Sequence, residues 1–255
     1  MQSKSKLAGA LLGAALWLAA AAPAAGAAGL TPRQILDHVD DLFRGKSSQG
    51  LMTMTVVTKH WQRTLTMQWW SKGKDRSLVR ILAPKKEAGT ATLRVGNNVW
   101  NYLPKVKRVI KLPSSMMSGS WMGSHFTNDD LVKESRMADD YTFKITFQGV
   151  RDGREIIEIT CRPKPDAAVV WGQVRVVVQA GDYLPLFMRY FDEDLHPART
   201  MYFTNVGDLG GRRLPRTMKM VPQDKPGEYT LVTYQKMRFD LELADSVFSL
   251  RSLRD

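Results

Sequence analysis

Residues 52–57 read Met52-Thr53-Met54-Thr55-Val56-Val57, and residues 64–69 read Thr64-Leu65-Thr66-Met67-Gln68-Trp69. In both, large apolar side chains stand at every second position, the period of a strand with one buried face rather than of a helix. Working outward, further alternating or β-branched runs occupy 76–83, 90–96, 98–103, 107–112, 141–149, 154–162, 172–180, 184–191, 199–206, 213–221 and 228–239. Turn chemistry joins most of them: Lys72-Gly73-Lys74-Asp75, Gly96-Asn97-Asn98, Asp152-Gly153, Gly181-Asp182 and Gly210-Gly211. About 11–13 strands in near-continuous hairpins predict a mainly β fold, an antiparallel sheet that curls strongly or closes. No repeat or low-complexity linker divides residues 29–255, so they are read as one domain.

Three stretches break the rhythm. Thr31-Pro32-Arg33-Gln34 carries a capping residue, a first-turn proline and a capping-box partner. Ile35, Val39, Leu42 and Phe43 then recur at helical spacing and Gly45 supplies a stop, which predicts an amphipathic helix that must cover something. Residues 113–140 hold too many Ser, Gly and Met for a strand and are too long for a hairpin turn, with a short capped helix expected at 127–133. A loop of this length inside a compact fold is read as a lid, and Met116, Met117, Trp121, Met122 and Phe126 give it an apolar side. Residues 1–28 place Lys4 and Lys6 before an apolar run from Leu7 to Ala22, then Pro23 and the Ala25-Gly26-Ala27 end. That is the pattern of a cleaved secretory signal peptide; the run is shorter than a bilayer span. The mature chain is therefore expected outside the inner membrane, in the periplasm.

Composition excludes more than it assigns. The single Cys161 allows neither an internal disulfide nor a multi-cysteine metal site, and four scattered His make a His-rich metal centre unexpected. No phosphate loop, dinucleotide fingerprint or zinc-protease helix is present, and Ser124-His125 would still need an orienting acid to act as a hydrolase. An enzyme and a cofactor are not expected. The 37 Lys and Arg against 25 Asp and Glu give a formal charge of +12. In an exported chain the usual polyanions are phospholipid headgroups rather than nucleic acid, and the basic clusters fit either contact with an anionic membrane or solvated turns and outward strand faces. The positive signal is the 13 Met, eight of which fall in expected strands (52, 54, 67, 188, 201, 218, 220 and 237) alongside Trp61, Trp69, Trp70, Trp100 and Trp171. Well-specified cores favour Leu, Ile and Val, whereas Met lets a surface repack around ligands of varying shape. A soft apolar face under a helix and a lid describes a container for something greasy.

Asn98-Val99-Trp100-Asn101-Tyr102-Leu103-Pro104, followed by Lys107-Arg108, is similar to the strand and basic turn of the outer-membrane lipoprotein-sorting protein family. Gly123-Ser124-His125-Phe126-Thr127-Asn128-Asp129-Asp130-Leu131 resembles that family's Gly-Ser-Asp-Phe-x-x-x-Asp-Leu lid motif, with His125 where relatives carry Asp. Tyr190-Phe191-Asp192, Gly210-Gly211-Arg212-Arg213-Leu214-Pro215 and Phe248-Ser249-Leu250 resemble its closing strands and tail. The resemblance implies a half-open, LolA-like β-barrel whose concavity shields a lipid or lipoprotein acyl chain. It also implies a monomeric carrier passing cargo from an inner-membrane exporter, of the resistance-nodulation-division or ABC class, to the outer membrane. On this basis cargo contact is expected at Met52, Met54, Leu65, Met67, Trp69, Trp100, Trp121, Met122 and Phe126. Docking to a membrane or transporter is expected at Lys105, Lys107, Arg108 and Lys111. Two rivals are an envelope-stress sensor of the same fold and a secreted lipid hydrolase.

Overall fold

The computed structural model describes residues 29–133, 137–167 and 169–254; the expected signal peptide at 1–28 lies outside the described residues. Helix α1 (Pro32–Arg44) starts where the capping box places it. The Gln34 amide donates to Thr31 Oγ1 at 3.3 Å and the Thr31 amide to Gln34 Oε1 at 2.8 Å. The Gly45 amide closes the last turn on the Asp41 carbonyl. The helix buries Ile35, Leu36, Val39 and Leu42 against β1, β12 and β7, strands defined next.

The strands are β1 (Ser47–Val57), β2 (Gln62–Lys72), β3 (Arg76–Ala83), β4 (Ala91–Val95), β5 (Asn98–Leu103), β6 (Arg108–Lys111), β7 (Tyr141–Arg151), β8 (Arg154–Pro163), β9 (Gln173–Gln179), β10 (Pro185–Phe191), β11 (Pro197–Leu209), β12 (Arg212–Pro222) and β13 (Tyr229–Phe239). They form one antiparallel sheet in the order β6-β5-β4-β3-β2-β1-β13-β12-β11-β10-β9-β8-β7. Two meanders, β1–β6 and β7–β13, are thus joined along the β1–β13 ladder. Strands β6 and β7 follow one another in sequence yet lie at opposite edges, so the sheet is open and not closed into a barrel. The connection between them has to travel from one edge to the other. It does so as 3-10 turns at Ser114–Met116 and Trp121–Gly123, then α2 (Asp130–Lys133) and α3 (Met137–Asp140). The lid expected at 113–140 is therefore a strap that the topology itself requires.

Register decides which side chains face the strap and α1. Met52 pairs with Met67 and Met54 with Leu65, while Met67 faces Ile81 and Trp69 faces Val79. Across the centre Met54 pairs with Val232 and Met52 with Tyr234, and Val232 pairs with Met218. These residues and the buried face of α1 belong to one apolar cluster. Gly50 lies opposite Trp69, and a Cβ there would come within 2.3 Å of the indole ring. The glycine makes the room that lets Trp69 lie flat on its neighbour, and the indole Nε1 donates to Ser48 Oγ at 3.4 Å.

The other face of β3–β5 is also apolar. Leu78, Ala91 and Leu93 pack with Phe248 and Leu253 of the C-terminal tail, joined by half-buried Trp70, Trp100 and Tyr102. The tail is tied down by Lys72 Nζ on Asp245 at 2.7 Å and Arg76 Nη1 on Asp245 at 2.8 Å.

Candidate functional site

Between α1, the strap and the sheet lies a cavity of about 240 Å³. Its apolar wall combines Met52, Trp69, Met188, Phe203, Met218 and Val232, one from each of six strands. Trp121, Phe126 and Leu131 of the strap and Leu36, Val39 and Phe43 of α1 close it. Beside the β2–β3 turn the lining becomes polar, with Ser71, Ser77, Asp37 and Lys74, the last two ion-paired at 3.4 Å. One end of the hollow is thus oily and the other can meet water or a headgroup.

Of the residues singled out in the sequence, Met52, Trp69, Trp121 and Phe126 line this cavity. Met54, Leu65 and Met67 lie on the same face but are fully buried in the core around it. Met122 packs half-buried against that core. Trp100 corrects the expected list. It pairs with Leu93, on the outer face under the C-terminal tail, and Lys111 Nζ stands 5.8 Å from its ring centroid. The inward residues of that hairpin are Thr92 and Asn101, and they receive the strap: Trp121 Nε1 donates to Thr92 Oγ1 at 3.1 Å, and Thr92 Oγ1 donates to Asn101 Oδ1 at 2.8 Å. Lys105, Lys107 and Arg108 project from the β5–β6 turn, and Lys111 ends β6, all exposed.

What the sequence did not reveal is how the strap is held. Arg199 of β11 grips Asp130 of α2 with two bonds, Nη1–Oδ2 at 2.8 Å and Nη2–Oδ1 at 2.5 Å, and Nη1 also donates to the His125 carbonyl at 3.3 Å. Its guanidinium lies 4.4 Å from the Trp171 ring centroid and 4.6 Å from that of Tyr190. Both members of the pair are withdrawn from water, with side-chain exposures of 6% and 14%, so the bidentate geometry and ring stacking must offset a real desolvation cost. Asp130 Oδ2 additionally accepts the Thr127 amide at 2.7 Å, capping α2.

A second attachment sits at His125. Its amide donates to Thr230 Oγ1 at 3.0 Å, its Nδ1 is 2.8 Å from the same hydroxyl, and its Nε2 is 3.2 Å from Glu228 Oε2. The Lys59 amide first, and then His125, hold the Glu228 carboxyl below the ordinary glutamate range. Hydroxyl, imidazole and carboxylate in line resemble a nucleophile relay. Thr230, however, is fully buried, which leaves no approach for a substrate carbonyl. The adjacent Ser124 spends its hydroxyl on the Trp121 carbonyl at 2.7 Å. The third attachment is Arg63 of β2, which donates to the Met122 carbonyl and pairs with Glu87 at 3.1 Å. Strap and sheet thus meet through a few polar joints around an oily interior. Such an arrangement can hold an apolar guest and release it by loosening the joints, without any bond being made.

Cys161 is fully buried and its thiol is pushed up to about 12 by burial. Among the described residues no group of His, Cys, Asp and Glu is placed to hold a metal ion, and no helix is long and apolar enough to cross a membrane.

A family model described only as an uncharacterized protein matches residues 73–255. No curated protein matches the chain. Among solved structures, a DUF1329 family protein from Desulfovibrio piger superposes with a TM-score of 0.78 at 20% identity, covering 87% of this chain and 97% of its own. A putative outer membrane lipoprotein-sorting protein domain from Vibrio parahaemolyticus gives 0.75 at 23%, covering 88% and 98%. A LolA superfamily protein from Nitrosomonas europaea gives 0.74 at 21%, covering 88% and 100%. At these identities the likeness is one of fold.

Proposed function

From the premise that the chain belongs to the uncharacterized protein family whose model spans residues 73–255, and that it has the fold of the LolA superfamily, we propose that it is a carrier of lipid or acylated lipoprotein. In this reading residues 29–255 act as one exported, periplasmic unit. They collect cargo from an inner-membrane exporter and deliver it to the outer membrane. The observation that carries the reading is the Met- and aromatic-lined cavity of about 240 Å³ under the strap.

The size of the hollow says how it must work. A dry cavity of about 150 Å³ accepts benzene, so by proportion this one takes roughly ten carbons of an extended chain. A 16-carbon acyl chain exposes about 12 kcal/mol of hydrocarbon to water at roughly 0.8 kcal/mol per methylene. The closed cavity shelters more than half of that. The rest requires Trp121 and Phe126 to move aside, which ties cargo entry to the joints at Arg199, His125 and Arg63. Met side chains suit the lining because they refill the space when the guest leaves, so release does not strand an open void. Arg199 and Asp130, withdrawn from water beside the apolar wall, make sense as fasteners of a moving part.

The test is mass spectrometry of organic extracts from the purified mature chain and from Met218→Asp. Met218 lines the cavity but is only half-buried, so the aspartate can be hydrated without collapsing the core. Wild-type protein is expected to release lipid at near-stoichiometric amounts and the variant, still folded, to release none. Lipid-free wild-type protein that also fails to take up a long-chain fluorescent fatty acid refutes the proposal.

A further inference from the structure

Three turns come together at one end of the sheet: β1–β2, β3–β4 and β5–β6. Their common position follows from the registers, in which Val57 faces Gln62, Arg80 faces Ala91 and Leu103 faces Arg108. The turns touch, since the Cβ that Gly89 lacks would lie 3.6 Å from the Pro104 ring. This rim shows two properties at once. Trp61, Leu82, Leu103 and Val106 are all exposed large apolar side chains, Val106 at 58% and Trp61 at 45%. Residues 58–63, 84–90 and 103–111 also carry eight Lys and Arg against one acid, Glu87, which is already paired with Arg63; the acids Asp224 and Glu228 belong to the neighbouring β12–β13 turn, on the far side of β1–β2 from the lysines of β5–β6, where Glu228 accepts the Lys59 amide. Lys85, Lys86, Lys105, Lys107 and Arg108 make no ion pair among the described residues.

The geometry points to this rim as a docking surface for an anionic lipid bilayer: apolar tips enter the headgroup layer while the lysines engage lipid phosphates. Charge complementarity selects a membrane with net negative charge, since each basic side chain near such a surface improves partitioning about fivefold. Interfacial Trp and snorkelling Lys are the side chains suited to that depth. The proposal deepens the carrier reading by saying which end meets the membrane. Arg63 grips Glu87 of the rim and the Met122 carbonyl of the strap together, so the surface that docks is mechanically continuous with the strap that must open.

The experiment is vesicle flotation of the delipidated mature chain at physiological salt. The vesicles are pure phosphatidylcholine or phosphatidylcholine with about a third phosphatidylglycerol. Wild-type protein is expected to float with the anionic vesicles, to be released by 1 M salt, and to stay behind with neutral ones. The variant K105E/K107E/R108E, all at exposed positions, is expected to lose at least about a hundredfold in partitioning, and Val106→Asp to weaken binding with the lysines intact. Equal flotation on neutral vesicles, no flotation by folded wild-type protein, or undiminished flotation of the triple variant overturns the proposal. Because cargo is absent from the assay, failure here leaves lipid uptake by the cavity to be judged separately, and failure of uptake leaves this result standing.

Discussion

Replacing Asp130 by alanine isolates the largest fastener of the strap. The substitution leaves Arg199, whose side chain is 6% exposed, clasped between Trp171 and Tyr190 without its two charge-assisted bonds. Removing one partner of a buried pair costs about 3–5 kcal/mol. Here the strap can lift and let water reach the guanidinium, so the cost falls on strap closure rather than on the sheet. At about 1.4 kcal/mol per decade, the open strap should become roughly a hundredfold to several thousandfold more populated. Hydrogen exchange followed by mass spectrometry reads this directly. Peptides spanning 113–131 should accelerate by at least two orders of magnitude, whereas β1 and β13, paired around Met54 and Val232, should keep their protection. The double variant D130L/R199L removes both charges and should recover most of the lost closure. Unchanged exchange in the strap of Asp130→Ala refutes the reasoning. So does equal acceleration of strap and central strands, because the pair would then hold the fold and not a lid.

Other outcomes follow from the same contacts. Backbone and side-chain donors depress the carboxyls of Glu228, Asp240 and Asp245. Their folded values lie below their unfolded ones, so their contribution is present at neutral pH and is lost as pH falls through the folded values. Urea midpoints should therefore hold steady near neutrality and drop on acidification below the ordinary carboxylate range, and a profile rising toward acid would contradict this. The Cys161 thiol, buried and pushed up to about 12, should resist iodoacetamide in the native protein and react fully in urea, as mass spectrometry would show. Deleting residues 244–255 uncovers Leu78 and Leu93 and removes the buried Phe248 and Leu253. At about 1.5–3 kcal/mol per large apolar side chain, stability should fall by roughly 3–6 kcal/mol in equilibrium unfolding, with cavity uptake of lipid retained.

The parts of the molecule that could be read from sequence are those governed by neighbours in the chain. Thr31 and Gln34 are three residues apart, and the helix begins where they say. Met52, Met54, Leu65, Met67 and Trp69 alternate with polar partners, so periodicity put them on one shared face, while which way that face points needed the strand order. Trp100 misled because the apolar alternation of β4 and β5 faces outward: Leu93 and Trp100 are buried there by a tail some 150 residues later, which no local period can signal. The joints of the strap escaped for a related reason. Arg199 meets Asp130 across 69 positions, and in the sequence each reads as an ordinary surface charge. Phe203 and Tyr234 lay in strands but carried no mark that set them apart from other core aromatics. The long Met-bearing segment at 113–140 was legible as an irregular connection by its composition, while the topological need for it to cross from β6 to β7 was visible only once the strand order was known.

That strand order has a consequence for how the protein comes into being. The ladder at the centre of the sheet pairs Ser48 with Phe239, so nascent chain threaded amino end first must wait for nearly its last residues before the middle can zip. Each half can form its hairpins locally, but they remain two separate leaves with raw inner margins until the final strand slides between them. Contacts spanning about 190 residues make that closure slow. A polypeptide of this design therefore leaves the margins of β1 and β12 open to a holding chaperone until β13 arrives.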